Sequence, residues 1–157
     1  MRCRGPLSIL ESEVNEYIAA TITPDKLINQ QFDDYWTWRL ERSPEFATML
    51  GSKDFNSILE TFTEKRFEED FESSKKFIGR AEVLQNQTDN ADLLQNLDFF
   101  VAEVQTYVDG YKYNGFYFPV SYLDGVKVDF QRLSEWASLD DQKDYEDLIA
   151  RYNLLDV

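Results

Sequence analysis

"FDDYWTWRLERSPEFATMLG", residues 32–51, crowds aromatics, a Ser-Pro step and a closing glycine into one short run. Its first half continues a pattern that starts at Thr23-Pro24-Asp25, where Thr23 can cap a helix and Pro24 fills the first position, whose missing N–H costs nothing. Stepped at about 100° per residue, Ile28, Phe32 and Tyr35 gather on one side with Trp36 and Trp38 beside them. Lys26, Gln30, Asp33, Asp34, Thr37 and Glu41 gather opposite, which predicts an amphipathic helix to about Arg42 with an aromatic face. Ser43-Pro44-Glu45 repeats the start signal, and Gly51 supplies the left-handed residue that ends a helix, so a short helix is predicted over 44–50. The stretch therefore reads as a long helix, a sharp break and a short helix.

The same signals recur downstream. Thr63 can cap a helix over 64–85 whose apolar stripe is Phe67, Phe71, Phe77, Ile78, Ala81 and Leu84. Asn90 can cap the next, where Leu94, Leu97, Val101, Val104, Val108 and Tyr111 alternate steps of three and four. From Gly110 the texture changes: "GYKYNGFYFPVSYLDG" mixes Gly, Asn and Pro with aromatics and shows no helical period, so it reads as a long loop. Helical pattern returns over 128–137 and again over 140–154. The predicted fold is an all-α antiparallel helical bundle, with 1–22 as a variable N-terminal segment and 23–157 as one partial helical domain, incomplete at its C-terminus.

Composition narrows the function classes. The chain is 43% hydrophobic and 29% charged with a formal net charge of −14, a field that repels phosphate backbones and anionic lipid. Nucleic acid is excluded as an expected partner. Glu11 and Glu13 interrupt the start before a signal-peptide core can form, and no apolar run is long enough to cross a membrane, so a soluble chain is expected, its compartment open and export possible if the N-terminus is incomplete. Cys3 is the only cysteine and cannot form an intrachain disulfide. Asn86-Gln87-Thr88 matches an N-glycosylation sequon, a short pattern that also arises by chance.

Histidine is absent, which removes the commonest general base and metal ligand. No phosphate loop, nucleophile elbow or calcium-loop spacing is found, and any catalysis would need carboxylates, Lys or Tyr. The acidic cluster Asp140, Asp141, Asp144, Glu146 and Asp147 reads as a solvated helix face with favourable first-turn charges. Two candidate sites remain. Arg39 projects from the aromatic face of the first helix, where it either pairs with a carboxylate and stacks on a ring or lines a cleft and binds a substrate carboxylate. The aromatic loop, with Tyr117 and Tyr122, either plugs a gap between helices or lines the same cleft.

Phe32, Tyr35 and Trp36, then Ser43-Pro44-Glu45, Ala47-Thr48 and Leu50-Gly51, together resemble the N-terminal signature of the domain of unknown function 885 family. The order of the later helices, the aromatic loop and the closing "YEDLIAR" follow the same plan, from about residue 25 onward. The chain departs from it after Gly51, where "SKDFNSIL" stands in place of a Tyr-Asp step and an Arg-Leu pair. The resemblance implies the N-terminal part of a larger α-helical fold similar to zinc metallopeptidases, with peptide as substrate of the complete protein. Zinc would be held by a His-Glu-x-x-Pro-Gly-His segment that this sequence does not contain, so Phe32, Tyr35, Trp36, Pro44, Ala47, Thr48 and Gly51 carry over as scaffold positions only. No catalytic, cofactor or metal role is expected of this chain, and unpaired apolar faces are expected to favour self-association. The alternative reading is a non-catalytic helical interaction module.

Overall fold

A computed structural model of the chain describes residues 23–117 and 126–154. Among these the architecture is all-α: α1 (Pro24–Arg42), α2 (Pro44–Met49), α3 (Glu64–Gln85), α4 (Ala91–Tyr111), a 3-10 turn (Gly115–Tyr117), α5 (Val126–Trp136) and α6 (Gln142–Asn153). The helix starts read from Pro24, Pro44, Glu64 and the Asn90 cap are the observed ones. Asn90 accepts from the N–H groups of Asp92 and Leu93, which would otherwise lack intrahelical partners. Ser43 corrects the expectation: it stands at the cap position of α2 but its side chain makes no capping bond, and Pro44 alone supplies the start. The segment 1–22 and the part of the aromatic loop over 118–125, with Tyr122, lie outside the described residues; Tyr111 still belongs to α4.

The chain divides into two compact units, one of Met1–Tyr35 with Glu64–Asn114, the other of Trp36–Thr63 with Gly115–Val157. In the first, the core is Leu27, Ile28, Ala81, Val83, Leu84 and Leu97, with Phe32, Leu93, Phe100 and Val101 packed against it. Phe71 stacks on Tyr111 at 4.3 Å, while Gln85 donates to Asp98 at 2.7 Å, so the start of α3 meets the end of α4 and the two run antiparallel. The first half of α1 is antiparallel to α3: Thr88 donates to Asp25, and Gln31 donates to the Phe77 carbonyl at 2.9 Å. Tyr35 closes this unit edge-on to both Phe77 and Phe100, at 5.3 and 4.9 Å, an arrangement that adds quadrupole attraction to burial.

The second unit holds the end of α1, then α2, the irregular 50–63 connection, α5 and α6. Gly51 adopts φ +86. Its N–H donates to the Thr48 carbonyl and that of Ser52 to the Ala47 carbonyl, both at 2.9 Å, the double bond of a Schellman ending. This turns the chain sharply off α2 and returns the connection past the short helix. Leu133 of α5 is fully buried, and Phe130 meets Tyr152 of α6 edge-on at 4.8 Å.

Candidate functional site

The polar centre of the second unit is Arg151, near the end of α6 and only 1% exposed. Its Nη1 donates to the Thr48 hydroxyl at 2.9 Å, and its Nη2 donates to the carbonyls of Phe55 and, at 3.5 Å, Pro44. The Thr48 hydroxyl lies 3.0 Å from the Pro44 carbonyl and 2.7 Å from Asn56 Oδ1, so its single proton serves one of these while its lone pair receives Arg151. Pro44, Thr48 and Asn56 are themselves buried. One side chain thus ties α2, the connection after it and α6 together across about a hundred residues of sequence.

No carboxylate bonds to Arg151 among the described residues. Burial pushes its pKa down, and the charges of Glu45 and then Asp147 push it back up through space. Glu45 uses Oε1 to accept the Glu60 N–H at 3.2 Å, while its Oε2 and the Nε of Arg151 are buried without a hydrogen-bond partner among the described residues. A guanidinium enclosed on carbonyls and a hydroxyl has no face open to a substrate. Its chemistry is mechanical: it satisfies buried acceptors that an apolar residue would leave bare.

A second polar knot sits at the start of α6. Asp144, 4% exposed, accepts from Lys53 Nζ at 2.6 Å and from the N–H groups of Asp140 and Asp141 at 2.8 and 3.2 Å. Asp141 caps the helix in return, accepting the Asp144 N–H at 3.0 Å. Lys53 also reaches Asp140 at 3.0 Å. These bonds, first to Asp144 and then to Asp140, push the Lys53 pKa up to about 12; Lys53 in turn holds Asp144 below the ordinary carboxylate value. The expected solvated acidic face is therefore corrected at Asp144, which the capping box turns inward.

Arg39 was expected either to pair with a carboxylate and stack on a ring or to line a cleft. It is exposed, and its guanidinium carbon stands 5.7 Å from the centre of the Phe46 ring, so the stacking partner is present, while no carboxylate partner is found among the described residues. The predicted face of α1 is covered as far as Tyr35, and beyond it Trp36 is left 48% exposed. Tyr117 is exposed on the 3-10 turn. Of the scaffold positions, Pro44, Ala47 and Thr48 are buried, Phe32 and Tyr35 half-buried, and Gly51 exposed at the helix ending. Asn86 is exposed just past α3 and donates to the Glu82 carbonyl at 2.9 Å.

Comparison with family models, curated proteins and solved structures returned no match. The residues present do not fit the zinc that the resemblance implies: the chain has no histidine and one cysteine, and no group of three His, Cys, Asp or Glu is placed to hold a metal among the described residues. None of those described helices is long and apolar enough to cross a membrane. Sequence reasoning missed Arg151, Asp144 and Asn56. The available signal for Arg151 was its place on the apolar side of α6, four residues after Asp147 and three after Leu148.

Proposed function

We propose that this chain supplies the N-terminal helical scaffold of a protein of the domain of unknown function 885 family, supporting the substrate cleft of a zinc-dependent peptidase while leaving the bond-breaking step to another segment. One observation carries the reading. Pro44 and Thr48 of the signature and Arg151 of the closing segment commit their polar groups to one another inside the fold, as scaffold positions should. Peptide as substrate and zinc as metal belong to that reading through the resemblance alone.

The test is to sequence the transcript past the codon for Val157. A frame that runs on into a His-Glu-x-x-Pro-Gly-His segment is the expected result; a stop codon there overturns the peptidase reading. The second reading, a helical interaction module, is favoured by the exposed apolar side chains of Trp36, Met49 and Leu50, and a stop codon would leave it standing.

A further inference from the structure

The corner between α1 and α2 presents an aromatic surface with a cation set on it. Trp36 meets Phe46 edge-on at 6.2 Å, and Arg39 lies over the same Phe46 ring. Met49 and the C-cap Leu50 stand three and four residues after Phe46, which puts both toward the Phe46 side of α2. Trp36, Met49 and Leu50 are each close to half exposed.

Arg39 has no ion pair or hydrogen bond through its guanidinium among the described residues; the Phe46 ring is what holds it. This is not for want of acids in a chain of net charge −14. Glu45, next to Phe46 on α2, is turned inward to the Glu60 N–H, and Glu41 stands two residues along α1, on a different side of the helix. The donor fork is left open beside apolar surface. Screening over about 8 Å at physiological ionic strength confines the repulsion from the rest of the chain, so the local cation decides what binds here.

We propose that this corner docks a peptide segment in which a carboxylate stands next to a bulky apolar side chain. The apolar group lies on Trp36, Met49 and Leu50, and the carboxylate takes the forked N–H donors of Arg39, which the Phe46 stack holds in orientation. The inference rests on the second reading above, that the aromatic surface takes a partner, and names the chemistry of that partner.

The experiment pans a random twelve-residue peptide display library on the immobilised full chain and, in parallel, on Arg39→Gln. Both Arg39 and Trp36 are exposed, so thermal melting of the variants should match the parent and certify their folding. Enriched peptides should carry Asp or Glu beside Leu, Ile, Phe or Trp on the parent and lose the acidic position on Arg39→Gln. The strongest peptide, made synthetically, should bind about tenfold more weakly when its acid is replaced by the amide, the size expected of a charge-assisted bond. Arg39→Gln should abolish that difference, Arg39→Lys should keep only part of it, and Trp36→Ala should weaken both peptides equally. No enrichment, or one consensus on both proteins, overturns the proposal. Because the transcript decides between the peptidase and module readings while the panning decides only the docking chemistry, the inference and the reading it rests on can fail separately.

Discussion

Gly51 and Arg151 show how single residues govern the second unit. Gly51 holds φ +86 with open space where a Cβ would stand, so an added methyl meets no clash and only the backbone conformation resists it. Gly51→Ala should therefore cost about 1 kcal/mol in chemical denaturation without altering the fold. Asn at the same position should recover part of that loss, since Asn tolerates the left-handed region. Had the glycine served close packing, Asn would be worse than Ala, and the same melt distinguishes the cases. Arg151 is the opposite kind of residue: its conformation is ordinary, and its enclosure makes it irreplaceable.

At the scale of elements, α6 depends on what its first turn binds. The Asp144 carboxyl is depressed in the fold, so its contribution is complete above the unfolded value near 3.8 and is lost as pH falls through the folded value. Lys53 is raised, so its contribution is complete below 10.5 and is lost as pH climbs through about 12. Lys53→Met should lower the melting temperature most across the interval between those limits, and the gap to the parent should start to narrow below the unfolded value of 3.8 and close as pH falls through the lower folded value of Asp144. A gap independent of pH would mean that Lys53 acts through its methylenes. Helix starts were legible in the sequence because Pro24, Pro44 and Asn90 carry their own local chemistry. Asp144 was misjudged because periodicity shows which side of a helix a residue occupies but not where the covering neighbour stops. The position of Arg151 on α6 was legible but its partners were not, because they are two carbonyls and a hydroxyl, none of which marks the sequence with a charge.

For the whole molecule, a net charge of −14 makes self-repulsion a standing cost of the compact state. Raising sodium chloride from about 10 mM to 0.15 M shortens the screening length from about 30 to 8 Å and should raise the melting temperature, even though it weakens the exposed ion pairs. A fall would mean that those pairs outweigh the repulsion. Arg151 joins α6 to α2, and urea unfolding of the full chain tests this most directly, with parent, Arg151→Met, Thr48→Val and the double variant compared. Arg151→Met should cost about 3 kcal/mol, because buried acceptors lose their donor, and the double variant should fall short of the sum of the singles by more than about 0.5 kcal/mol. An Arg151→Met protein as stable as the parent, or strictly additive losses, would contradict it.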